Sequence, residues 1–385
     1  MDNNPLQALH HYRTFILTAL AALVAASMKV APACHAQIVP DKVEFAPERS
    51  FEVRPIYKND TVTLVVLGDI MMHQKQIEAA MKEGGEYDFS SYFSLIHNKI
   101  AEADIAIGNM EFTLAGEPYS GYPCFSAPDS FAQYNAECGF DIFLCANNHI
   151  LDKGKMGAER TLRIYRDYGL KYGTKFTGLA ASSDELELTT PLFVISKGIR
   201  IAILNFTYGT NNPGSADPFP AVNRLNDTEL MKSSFQKAEK ADFVLALPHW
   251  GNEYELTHSP AQRKMAQWMV DNGADMIIGS HPHVVQDVQT IDGVKVVYSL
   301  GNAVSNMSAV NTQLELMATV RIIRKGNGDI EVPEPELTWL WCSRPGGYNN
   351  GYTVVPVEGF IGRKHLWKGA WDYERMVETY NRIKR

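Results

Sequence analysis

From position 61 the chain alternates short apolar runs with segments of helical spacing, and a polar cluster closes each run. TVTLVVLGD, ADIAIGNME, FDIFLCANNH, ADFVLALPHWG and ADMIIGSHPH all follow this scheme. Unbroken apolar runs of this length are the pattern of strands covered on both faces. Residues 156–168, 227–240 and 260–272 carry helical spacing, with Gly169 and Gly273 just past two of the ends. Strands alternating with helices predict an α/β layered domain built on a largely parallel sheet. In such sheets ligands gather beyond the carboxyl ends of the strands, where this chain concentrates its unusual polar residues.

Several stretches depart from the scheme. Residues 206–224 are rich in Gly, Pro and Asn and read as a loop over the site. Residues 285–341 read as antiparallel β, with strands over 294–299 and 314–323 and an Ile-Asp-Gly turn at 291–293. From Cys342 the tail is Gly-rich, then aromatic, and 371–385 has the spacing of an amphipathic terminal helix. These features divide the chain into a leader over 1–36, a linker or edge segment over 37–60, a main domain over 61–341 and a C-terminal extension over 342–385.

The leader has its own grammar. Arg13 precedes the apolar run Phe15 to Ser27, and small residues follow up to Ala33-Cys34-His35-Ala36. The run is shorter than the roughly 20 apolar residues of a spanning helix and fits a secretory signal peptide cleaved after Ala36. Two alternatives stay open at this level: an uncleaved N-terminal anchor, and a lipoprotein acylated at Cys34. Either would associate the chain with a membrane. All three readings export the protein, to the periplasm or the cell surface.

Composition narrows the function classes. With 45% hydrophobic and 21% charged residues the chain is globular throughout, which excludes disorder, collagen and coiled coil as overall descriptions. The formal charge of −8, with no clustered basic run, argues against a nucleic-acid surface. Four cysteines follow the leader, too few for a disulfide scaffold. Cys145 closes an apolar run and reads as a buried free thiol, whereas Cys124 and Cys138 are close enough in sequence to be candidates for pairing.

Histidine placement is the sharpest chemical signal. Eight histidines follow the leader, and five of them, His73, His149, His249, His281 and His283, fall at or just beyond the ends of apolar runs. Neutral imidazole is the commonest metal ligand near neutral pH. His281-Pro282-His283 in extended geometry sends both rings to one face. Asp69 ends the first strong strand, where a carboxylate needs a cation or donors to stay ionised. Glu111 ends the second and has two oxygens with which to serve two ions. Asn148 can ligate through its amide oxygen without adding charge, and His149 beside it can protonate a leaving group, oriented by Asp152 three residues on. Trp250 reads either as a pocket wall or as plain packing, Glu253 as a nearby acid, Asn109 as a turn former or a support for the ligands, and Gly301-Asn302 as a turn close to the site. Asp69, His73, Glu111, Asn148, His249, His281 and His283 thus supply four groups to each of two divalent ions, Mn, Fe or Zn, with Glu111 shared. That donor set suits hydrolysis by a metal-activated water.

LGDIM, GNMEF, ANNHILDKG, HWGNEY and GSHPHVVQ, in this order over residues 61–305, resemble the CapA family of capsule-biosynthesis or poly-γ-glutamate synthesis proteins, whose domain is related to the calcineurin-like metallophosphoesterase fold. The resemblance implies a four-layer α/β/β/α sandwich around a dimetal site. It places Asp69 at the first Asp of that fold, Glu111 at the bridging carboxylate, Asn148-His149 at the pair of metal ligand and catalytic acid, and His249, His281 and His283 at the last three histidines. Two features differ from the broader superfamily: three residues separate Asp69 from His73 where Asp-x-His is usual, and the bridging position holds Glu instead of Asp. The implied activity is hydrolysis of a phosphoester, or of an amide such as a γ-glutamyl or cell-wall peptide bond. The alternative is a non-catalytic accessory that grips an anionic surface polymer through its metals during synthesis, export or anchoring.

Overall fold

The computed structural model describes residues 60–212 and 221–384; the leader and nearly all of the 37–60 segment lie outside them. Asp60, the last residue of that segment, already belongs to a strand.

Two sheets form the frame. The first runs in the order Thr353–Pro356, Glu336–Ser343, Leu314–Arg324, Asp60–Ile70, Ile105–Met110, Ile142–Leu144 and Lys175–Thr177, with the short Ile330–Glu331 paired to Leu314–Arg324. Its last four strands are mutually parallel, Leu314–Arg324 pairs antiparallel with Asp60–Ile70, and Glu336–Ser343 and Thr353–Pro356 each add antiparallel to the strand before. The second runs Val288–Ile291, Val294–Val297, Met276–Ile278, Phe243–His249, Ile199–Thr207 and Leu192–Ser196, parallel at its centre and antiparallel at both edges. A two-stranded ribbon, Leu179–Ala180 with Ala221–Val222, accompanies them.

The period-2 geometry of a strand explains why these apolar runs carry no polar face. Val62, Leu64 and Val66 turn into a core that they share with Ile201, Ile203, Leu245 and Ile278 of the other sheet. Their neighbours Val65 and Leu67 point the opposite way, into a core with Phe131, Leu162 and Tyr165 from helices Asp129–Glu137 and Gly154–Tyr172. On the far side Ala202, Leu204 and Phe206 meet Met231, Phe235 and Met269 from helices Thr228–Ala238 and Pro260–Asp271. The result is four layers, α/β/β/α. Full burial of each large aliphatic or aromatic side chain favours folding by roughly 1.5–3 kcal/mol before entropy is counted.

Local signals set the helix limits. Ser259 and Gln262 form a capping box at the start of Pro260–Asp271, with Pro260 in its first turn, and the Asp227 side chain accepts from the Leu230 N–H at the start of Thr228–Ala238. The Gly154–Tyr172 helix passes through Gly169 and stops at Gly173, whose φ of 79° only glycine adopts freely. The stop expected at Gly169 is therefore one turn early. The division at 341/342 also changes, because Cys342 lies within strand Glu336–Ser343 and Thr353–Pro356 completes the sheet edge. Helix Ala370–Ile383 packs on that edge through Met376 and Tyr380 against Trp341 and Val355. Cys124 is an exposed free thiol and Cys138 a buried one, so these two are not paired; Cys145 is free and buried as expected.

Candidate metal centre

The parallel strands of both sheets end at one place, and the site is assembled there. Asp69 sits just after a register shift in the pairing of Asp60–Ile70 with Ile105–Met110. Gly68 makes this possible, since a Cβ there would lie 2.0 Å from the Gly301 carbonyl oxygen. The Asp69 N–H donates to that same carbonyl at 3.0 Å, tying the strand end to the Gly301 turn. Glu111 follows the second strand and is anchored through its N–H to the Ile70 carbonyl at 3.0 Å. His249 ends Phe243–His249, Asn148 and His149 follow Ile142–Leu144, and His281 and His283 follow Met276–Ile278.

Seven polar groups meet with almost no exposure: Asp69, Glu111, Asn148, His149, His249, His281 and His283 are all buried. Two groups of donor atoms lie close enough to share an ion, Glu111 with His281 and His283, and Asp69 with Glu111 and His249. Glu111 belongs to both. Its Oε1 stands 3.8 Å from His283 Nε2, 3.9 Å from His149 Nε2 and 4.0 Å from His249 Nε2. Those gaps are too long for hydrogen bonds. They match two ligands about 2.1 Å from a common ion, which stand roughly 3.0–4.2 Å apart depending on angle. Asn148 Oδ1 is 2.8 Å from His249 Nε2 and turned to the same centre. Glu111 Oε1 and His281 Nδ1 are buried with no hydrogen-bond partner among the described residues. Orphaned acceptors facing one point fit a divalent cation in donor type, spacing and satisfaction.

The charge states point the same way. Burial pushes the His249 imidazole down to about 3, against the pull of Asp69 and with the push of His283 and His149. Burial, with His249 and His283 beside it, takes His281 well below its ordinary value. Both rings are thus neutral and able to ligate. For Asp69, burial opposes ionisation, but the hydrogen bond and charge of His283, joined by His249 and Asn109, hold the carboxyl well below the usual range. His283 is raised, because its contact with Asp69 outweighs burial. Glu111 is driven well above the usual range by burial and by the Asp69 charge, the state of a carboxyl awaiting a cation.

Around the donors stands a supporting ring. Asn109 Nδ2 donates to Asp69 Oδ1 at 2.7 Å, Ser280 Oγ lies 3.0 Å from His249 Nδ1, and Asn302 Oδ1 lies 2.9 Å from His283 Nδ1. His149 Nδ1 is 2.7 Å from Asp152 Oδ2, and the same oxygen accepts from the Phe125 N–H at 2.8 Å. This contact fixes the ring tautomer and aims Nε2 toward Glu111. A cleft of about 520 Å³ opens over His149 and Asp152, lined also by Tyr122, Cys124, Asn211 and Glu253.

Some expectations take a different form. His73 caps helix Gln74–Ala80, its Nδ1 3.2 Å from Gln76 Oε1 and accepting from the Asn306 N–H at 3.3 Å, and it belongs to neither donor group. Placing His73 one turn past the strand carries it beyond the converging ends. His281 and His283 are not extended: their φ values are 99° and 58°, so they converge through a strained turn with rings 5.7 Å apart. Of the two readings of Trp250, packing holds: it is a core residue, donating its indole N–H to the Tyr298 carbonyl at 2.9 Å. Sequence reasoning missed Ser280, Asn211 and Tyr208. Asn211 Nδ2 lies 3.4 Å from His149 Nε2, and the Tyr208 ring is 4.5 Å from that of His281. The loop expected over the site is the signal for Asn211 and Tyr208.

Fold and site together define an α/β/β/α sandwich with a candidate metal centre at the meeting ends of its two sheets. The chain belongs to the family described as bacterial capsule synthesis protein PGA_cap, whose model matches residues 63–307. It is 28% identical over 301 residues to the capsule biosynthesis protein CapA of Bacillus anthracis, covering 74% of this chain and 70% of that one. It is 27% identical over 286 residues to the PGA biosynthesis protein CapA of Bacillus subtilis (strain 168), covering 72% of each. Among solved structures, a putative 5'-nucleotidase from Staphylococcus aureus matches with a TM-score of 0.46 and 13% identity, over 72% of this chain and 54% of that one.

Proposed function

We propose that this member of the capsule-synthesis family is an exported hydrolase dependent on two divalent ions, acting on a phosphoester or on an amide such as a γ-glutamyl or cell-wall peptide bond. The observation that carries the reading is Glu111, buried, orphaned at Oε1 and common to both donor groups. Asp69, Glu111, Asn148, His249, His281 and His283 would hold the ions. Divalent ions supply a water of lowered pKa and stabilise charge growing on substrate oxygens. The chain's own part is acid catalysis and positioning. Asp152 accepts the Nδ1–H of His149 and holds the ring so that Nε2 can give its proton to the leaving group. Asn109, Ser280 and Asn302 keep the donors in place, and the buried setting limits competition from bulk water.

Export is supported by the leader pattern in residues 1–36. Relatives named for capsule and PGA biosynthesis support an anionic surface polymer as the biological setting. The test is metal analysis of the purified chain coupled to a screen of phosphoesters and γ-glutamyl peptides, with His149→Ala as control. Metal-dependent turnover that falls about 10²–10⁴-fold in His149→Ala is expected. Undiminished turnover in that variant removes the proposed acid, and bound metal without hydrolysis of any substrate assigns a binding role in its place.

A further inference from the structure

A second, shallow and mostly apolar cleft lies beyond His73, outside the donor cluster. It has a volume of about 480 Å³ and is lined by Lys75, Glu78, Asn306, Arg344, Tyr352 and Trp371. Arg344 is its centre. The guanidinium is half-buried, gives one Nη2–H to the Met307 carbonyl, and forms no ion pair among the described residues. Its Nε is buried with no hydrogen-bond partner among the described residues. The buried Asp372 carboxyl lies within its field, but no carboxylate touches it among the described residues, and a guanidinium, charged at every physiological pH, is left there with an unfinished contact.

The neighbouring groups supply more donors. The Asn306 side-chain oxygen accepts from the Tyr352 hydroxyl at 2.8 Å and its backbone N–H donates to His73 Nδ1, which leaves its side-chain nitrogen without a partner among the described residues. Lys75 pairs with Glu78 at 2.9 Å, but both side chains are largely solvated and the pair cancels in net charge. The net charge of the lining is therefore that of Arg344. Trp371, 49% exposed, offers an aromatic face to whatever carries the anion.

We infer that this cleft is an oxyanion subsite, in which Arg344 and Asn306 bind a carboxylate or phosphate of a ligand whose apolar portion rests on Trp371. Planar, multiply donating guanidinium is the side chain best suited to such oxygens. The subsite stands apart from the metal donors. It connects with them through His73, whose ring meets Phe125 at 5.1 Å, and Phe125 meets His149 at 4.6 Å. A polymer bearing repeated anions could engage both places at once.

The test is isothermal titration of the full chain, in excess chelator, with a glutamate tripeptide and separately with inorganic phosphate. At least one probe is expected to bind, and which one does identifies the source of the anion. Arg344→Gln is expected to weaken that probe by about tenfold or more, Arg344→Lys by less, and Asn306→Asp comparably to Arg344→Gln through repulsion. Asn306→Asp keeps the test open if Arg344→Gln fails to fold. Binding unchanged in the folded Gln and Asp variants, or binding of neither probe by wild type, overturns the subsite. Binding that requires metal overturns it too, since the donor cluster would then be the receptor; the subsite and the metal centre fail separately.

Discussion

Replacing Glu111 by Gln separates the two states of the metal centre, because its carboxylate destabilises the chain without a cation and stabilises it with one. In the metal-free chain Oε1 is buried without a partner, and the Asp69 charge adds repulsion. An unsatisfied buried polar atom costs roughly 1–3 kcal/mol, and more when charged. Gln keeps the shape, is neutral without having to take up a proton beside Asp69, and brings an NH2 that can donate to it. The chelated variant should therefore exceed chelated wild type by roughly 1–3 kcal/mol, with each kcal/mol worth about 1.5 °C in Tm for a domain of this size. Metal at about a thousand times its Kd stabilises wild type by about 4 kcal/mol. A variant without the shared ligand gains little. The order of the two melting temperatures thus reverses between EDTA and excess metal, readable by scanning calorimetry on the same preparations. A wild-type Tm indifferent to chelator and to added Mn, Fe and Zn refutes the reasoning. Equal metal-induced shifts in both proteins refute the role given to Glu111.

Three further outcomes follow from the same geometry. Gly68→Ala should cost about 3 kcal/mol or more in denaturant unfolding, because the new Cβ meets a carbonyl oxygen 2.0 Å away, whereas Gly173→Ala at a helix cap should cost only about 1 kcal/mol; equal effects would contradict the close approach at Gly68. Asp152→Asn should lower turnover about 10²–10⁴-fold with metal content unchanged, since it releases the His149 tautomer and touches no donor; loss of metal in that variant would move Asp152 into the ligand set. Glu315, fully buried and bonded to the Gly68 N–H, is pushed by burial well above its ordinary 4.5. Such a carboxyl keeps a proton that the unfolded chain has released, so stability falls as pH rises above the ordinary value, by about 1.4 kcal/mol per pH unit up to the folded one. Glu315→Gln should flatten that slope in chelated protein, and an unaltered slope would contradict it.

The layers were legible because strands covered on both faces leave a signature that no exposed element shares. Val62, Leu64 and Val66 interleaved with Val65 and Leu67 required two apolar partners, and the structure supplies the second sheet and the helices. Residues standing directly at strand ends were legible for a similar reason: parallel strands of both sheets stop together, so Asp69, Glu111, Asn148, His249, His281 and His283 meet. One turn of helix was enough to remove His73 from that convergence. The turn at Gly301-Asn302 was expected close to the site, and Asn302 reaches His283 from it. Ser280 carried no such mark, since it reaches His249 only through the packing of loops. Cys124 and Cys138 were near in sequence, but the helix Asp129–Glu137 between them leaves one thiol exposed and the other in the core.

The most direct measurement of the central claim is metal stoichiometry by elemental analysis on the full chain, equilibrated with each of Mn, Fe and Zn and then freed of unbound ion. The account predicts bound divalent metal in wild type, sharply reduced in Glu111→Gln and His281→Ala while both variants remain folded. Metal-free wild type under all three conditions, or wild-type stoichiometry in both folded variants, would contradict it.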